Sequence, residues 1–214
     1  MSPGGALRAA AVDFYHQSWR LAVFNAVLSA VLLGILYLAL FAHPLFALLV
    51  ILVGPIAAAL MHCAVQLAQS DELRFRDALT GLRKHWLRGA ALASVILLVA
   101  WLGLVALRFY GSDRWILSVL VGDVLAVFAV VQLLIWPRAV HFPDRPLYRI
   151  FGDALSDFLT RPIPALGFAL ALLLVNVIGV VAAVMPFLTL TVAYSFLATA
   201  HFALPRGPLR EPPV

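Results

Sequence analysis

Charge is what this sequence has least of. Only 12% of its 214 residues are Asp, Glu, Lys or Arg, against about 25% in an average soluble domain. Hydrophobic residues make up 64%, and the mean hydropathy is +1.03. That balance excludes a soluble fold of this length and predicts an all-α polytopic membrane protein. Cysteine occurs once, as Cys63 inside an apolar run, so neither a disulfide framework nor a thiolate metal site is expected. The opening MSPGGALRAAAVDFYHQSWR holds no short apolar core before a small-residue cleavage site, so no removable signal peptide is expected. Missing too are a phosphate-binding glycine loop, a nucleophile elbow and a zinc-protease helix. The hydroxyls Ser29 and Ser94 stand in apolar runs with no base near them in sequence. Neither an enzyme nor a cofactor is expected. No loop is long enough to house a soluble domain, so residues 1–214 are expected to form a single membrane domain.

Long apolar runs are what the sequence does have. A span needs about 20 mostly apolar residues. Six candidates follow: Leu21 to Ala42, Leu45 to Leu67, Ala90 to Leu107, Ile116 to Trp136, Ile163 to Val184, and Phe187 to about Ala203. His43-Pro44 and Met185-Pro186 give tight turns inside the first and third pairs. Six spans put both termini on one side. Thirteen of the fifteen basic residues then fall on that side, leaving only Arg108 and Arg114 opposite. This bias predicts a cell-membrane protein with both termini cytoplasmic. It also disposes of a nucleic-acid partner, which the pI near 10.0 would otherwise invite: the basic residues flank apolar runs.

The segment from Ser70 to Arg88 has a different pattern. Ser70 is a candidate N-cap, with Asp71 and Glu72 in the first turn. Phe75, Leu79, Leu82 and Trp86 recur at helical spacing on one face, and Arg74, Asp77, Lys84 and Arg88 fall mostly elsewhere. This predicts a basic amphipathic helix lying on the cytoplasmic membrane surface, ended or bent at Gly89. The pattern recurs. Asp77-Ala78-Leu79 is repeated as Asp153-Ala154-Leu155, and Val12, Tyr15 and Trp19 give a fainter copy near the start. The expected architecture is therefore six transmembrane helices as three hairpins, each preceded by a cytoplasmic-side amphipathic helix. The parallel repeats would cover residues 5–68, 70–137 and 146–203.

Polar groups inside the spans are few, and each is a candidate. Asp123 is the only acid within a span, and an intramembrane acid is a functional candidate because exposing it to lipid costs about 3 kcal/mol or more. At a rise of about 1.5 Å per residue, Asp123, Asn176 and Tyr194 all fall about 10–12 Å below the outer ends of their spans. They form a candidate intramembrane cluster, in which Asp123 accepts hydrogen bonds from Asn176 or Tyr194. Asn25, His62 and Gln132 form a second, inner cluster able to hold helices together. No second histidine or acid stands at helical spacing from His62, so no metal site is expected. Gly54-Pro55 marks a kink and a place of close helix approach.

The stretch Gly54-Pro55-Ile56-Ala57-Ala58-Ala59-Leu60 resembles the Gly-Pro-Ala-Thr-Ala-Ala-Leu signature of the YesL family of bacterial membrane proteins. Ile56 and Ala57 depart from it. Trp19-Arg20, Asn25, Phe75, Trp86 and Trp136-Pro137-Arg138 fall in the order of that family's features, so the resemblance runs over nearly the whole chain. It implies a domain of unknown function associated with carbohydrate uptake, and brings no catalytic residues. Two functions follow from the sequence. One is an accessory or regulatory membrane protein whose partners are the lipid bilayer, a membrane transport complex or a second copy of itself. The other is a small solute or ion transporter or channel with Asp123 on its pathway.

Overall fold

Ala, Leu and Val dominate the apolar runs, and with no water to satisfy a free backbone such runs close their hydrogen bonds as helices. A computed structural model describes residues 2–43, 48–70, 75–111, 114–182 and 190–204, with their side chains except at residues 16–19, 36, 50, 70, 75 and 182. These residues form α1 (Pro3–Phe41), α2 (Val50–Ser70), α3 (Phe75–Tyr110), α4 (Trp115–His141), α5 (Leu147–Thr160), α6 (Pro162–Ala182) and α7 (Val192–Ala203). Five of them contain stretches long and apolar enough to cross a membrane: Arg20–Phe41, Ile51–Gln69, Arg76–Tyr110, Trp115–His141 and Pro162–Val181. The sixth apolar run is represented by α7, which is shorter, at 12 residues. Pro44 and the Met185-Pro186 turn lie outside the described residues, as do Asp71, Glu72 and Arg74. The side chains of Trp19 and Phe75 are likewise outside them.

The expected surface helices are corrected in two of three places. α1 and α3 are unbroken, at 39 and 36 residues, so the segment before each apolar run continues straight into it. Gly89 does not end α3. A helical glycine costs about 1 kcal/mol but removes no hydrogen bond. Among the described residues only α5 is a separate amphipathic helix. There, Pro162 and Pro164 remove two N–H groups, and a residue before proline is driven out of the α region. Arg161 accordingly sits at φ −138° and ψ 59°, and the chain turns.

α2 is the central helix. Of its apolar window 72% is buried, against 29% for α1 and 11% for α4. It packs on α1, α3, α4 and α7. Against α3 it packs by backbone contact. A methyl group added at Gly89 would stand 2.5 Å from the Gly54 carbonyl oxygen and 2.8 Å from Pro55 Cα. Further along, one added at Gly81 would stand 2.9 Å from His62 Cβ. The face of α3 that meets α2 therefore runs through Gly81, His85 and Gly89, small or buried residues at helical spacing. Leu79 and Trp86, expected to anchor a surface helix, are exposed.

α7 packs against α1, α2 and α4 and reaches α6 through single side chains. Phe202 stacks on Phe168 with ring centroids 4.2 Å apart. His201 Nε2 lies 2.7 Å from Asp13 Oδ2. The core runs through Leu21, Leu28 and Ile35 of α1, Leu60 to Leu67 of α2, and Leu197 and Ala200 of α7. A second core joins Leu92, Ile135, Ile150, Ala154, Phe158 and Ala165 at the end of the bundle where Arg138, Arg145 and Arg161 collect. We call this the basic end.

Candidate functional site

Three regions hold the polar side chains that an apolar helix bundle must account for. The first surrounds Asp123. It lies on the exposed face of α4, and the apolar residues on neighbouring turns, Val119, Leu120, Val124 and Val127, are exposed as well. The expected cluster does not form. The Tyr194 hydroxyl donates to the Leu7 carbonyl at 2.9 Å. The Asn176 amide donates to the Leu172 carbonyl and to Ser195 Oγ, both at 2.8 Å. Depth counting treated the helices as parallel rods. The early turns of α1 instead pack against α7, and they take up the Tyr194 hydroxyl.

The second region is the buried middle of α2. Asn25, His62 and Gln132 are all buried. The His62 ring faces His85 of α3, with centroids 5.2 Å apart and planes tilted by 44°. Spacing along α2 could not reveal this second histidine, because it comes from another helix. Among the described residues neither ring nitrogen of His85 and neither amide atom of Gln132 has a hydrogen-bond partner, so Gln132 is bonded to neither Asn25 nor His62. Among the described residues no group of three or more His, Cys, Asp and Glu comes together to hold a metal.

The third region is the basic end. Arg88 was expected to face headgroups or water. Its guanidinium instead donates to the carbonyls of Ala139 at 3.0 Å, Phe142 at 3.0 Å and Arg145 at 2.7 Å. These are carbonyls at and beyond the end of α4, where helix partners run out and positive charge is favoured. Arg138 pairs with Asp157, and Arg145 pairs with Asp153 at 3.4 Å. Both acids are on α5, four residues apart. Two contiguous cavities, of about 600 and 300 Å³, share Arg138, Asp157 and Ala203. Sequence reasoning missed this cleft. Its one signal was that Asp153 and Asp157 stand four apart in a chain with only ten acids.

No family model matches the chain, and no curated protein or solved structure matches it.

Proposed function

We propose that the chain is an accessory membrane protein that acts by docking on a partner within the bilayer. The observation that carries this reading is Asp123. An acid among exposed Val and Leu side chains, at membrane depth, is costly unless another molecule supplies a donor. Among the described residues its own bundle supplies none. The partner surface it favours is a helix bearing a basic, amide or hydroxyl group at the depth of Asp123. A conducting role asks for Asp123 to line a path enclosed by the bundle, and its side chain is exposed on the outside.

The link to carbohydrate uptake rests on the resemblance of Gly54 to Leu60 to the YesL signature, and makes a membrane transport complex the partner of choice. In the same proposal the chain has six spans, with both termini cytoplasmic, as the distribution of its basic residues favours.

The test is a comparison of Asp123→Asn and Asp123→Leu. Both variants should fold, since the side chain is exposed. The amide should keep most of a complex purified in native lipid, and leucine should lose it. Solute flux through purified wild-type protein in liposomes, lost in both variants, would overturn the docking reading in favour of transport.

A further inference from the structure

The larger cavity at the basic end is amphiphilic. One wall is apolar: Leu134 of α4, Pro164 and Ala165 of α6, and Phe202 of α7. The other is polar: Arg138, Asp157, Thr160, Arg161 and Ser2. The charges on this wall are not equally committed. Arg138 is held by Asp157. Arg161 is exposed and has no ion pair among the described residues. The Thr160 hydroxyl is already donating, to the Asp157 carbonyl at 3.0 Å. Ser2 Oγ accepts the Gly5 N–H at 3.3 Å, and its own proton is left to donate. Ser2 caps the start of α1, and Arg161 stands between the end of α5 and the start of α6, so the uncommitted charge on this wall is the Arg161 guanidinium. Next along α6, Ile163 and Leu166 are exposed and apolar. The cavity wall thus passes directly onto the surface that meets acyl chains.

We infer that this cavity binds the phosphate of an acidic glycerophospholipid. Arg161 supplies the charge and Ser2 a donor, and the glycerol and first acyl carbons lie along Pro164, Ala165 and Phe202. The Arg138–Asp157 pair forms the back wall. It keeps Arg138 from collapsing onto the incoming phosphate, so recognition rests on Arg161. A zwitterionic lipid offers the same acyl chains but an ammonium that cancels the phosphate charge. The site should therefore select by headgroup charge.

Purified full-length protein, exchanged into mixed vesicles of phosphatidylglycerol and phosphatidylcholine and examined by native mass spectrometry, tests this. Wild type should retain phosphatidylglycerol in preference. Arg161→Gln should lower that preference about fivefold, the worth of one basic side chain against anionic lipid, and Arg161→Lys should largely restore it. Arg149→Gln should leave it unchanged, because Arg149 lies over the Tyr148 ring and is not among the residues lining either cavity. Equal retention of both lipids by wild type would overturn the inference. So would an equal loss in Arg149→Gln, which would mark a diffuse basic surface. Inorganic phosphate that binds in an Arg161-dependent way while no lipid is retained would also overturn the lipid assignment.

Discussion

Gly89 shows how much one absent side chain decides. Its Cα hydrogen allows α3 to touch the α2 backbone at Gly54 and Pro55. Gly89→Ala forces a methyl group into a backbone that cannot yield, and should cost about 1–3 kcal/mol of stability. Gly122→Ala has open space around it, and should change stability by no more than about 1 kcal/mol, in the favourable direction. Unfolding in a graded mixture of mild and denaturing detergent would compare the two. If Gly89→Ala is as stable as Gly122→Ala, the helices do not pack this closely. Arg88 is the polar counterpart. Arg88→Met leaves three carbonyls at the end of α4 without their donor, and should cost about 2–3 kcal/mol in the same assay. Little of this was legible beforehand. Gly89 was read as a helix end because glycine ends many helices, and Arg88 as a headgroup contact because arginines near membranes commonly are. The same residue types serve packing and capping when another helix lies beside them, and a one-dimensional pattern does not say whether it does.

At the scale of elements, the apolar runs were legible and the helix faces were not. Five of the six expected spans coincide with long helices, because length and hydropathy leave the backbone no alternative in lipid. The large apolar stripe of Leu79, Leu82 and Trp86 is expected to face lipid or the bundle, and spacing alone does not say which. In an apolar solvent bulk gives no advantage, and small residues that let backbones approach make the contact. The stripe through Gly81, His85 and Gly89 therefore packs on α2, while Leu79 and Trp86 look outward. The break between α5 and α6 has a cause that the sequence did carry, in Pro162 and Pro164. Replacing both by alanine should restore the missing N–H groups and let α5 run into α6, as the corresponding parts of α3 do. Hydrogen exchange at residues 161, 163 and 165, which carry an N–H in both proteins, should then slow by at least about tenfold, the effect of about 1.4 kcal/mol of local stability. Unchanged exchange would mean that packing, rather than proline, sets the turn. Ala154 and its counterpart Ala78 both pack against buried cores, with Leu155 and Leu79 exposed beside them.

Over the whole molecule the division is uneven. The basic end is built from paired and capping charges on α3, α4 and α5, and it closes on the second buried core. The opposite ends of α3 and α4 carry long exposed apolar faces. Lipid alone can cover such faces, but not Asp123, and on that residue the proposed docking function turns. The sequence identified Asp123 as the singular intramembrane acid. It could not say which way α4 is rotated, because α4 is apolar all round and has no face that its own pattern marks as inward. The rotation decides between a path through the bundle and a contact outside it. The most direct measurement is site-specific photocrosslinking in native membranes, with a photoreactive residue at Leu120 on the Asp123 face and a control at Ile163, exposed on α6. Docking predicts a discrete protein adduct from Leu120, lost when Asp123 is replaced by leucine, and only lipid adducts from Ile163. Lipid adducts alone from both positions, in wild type and variant, would contradict it.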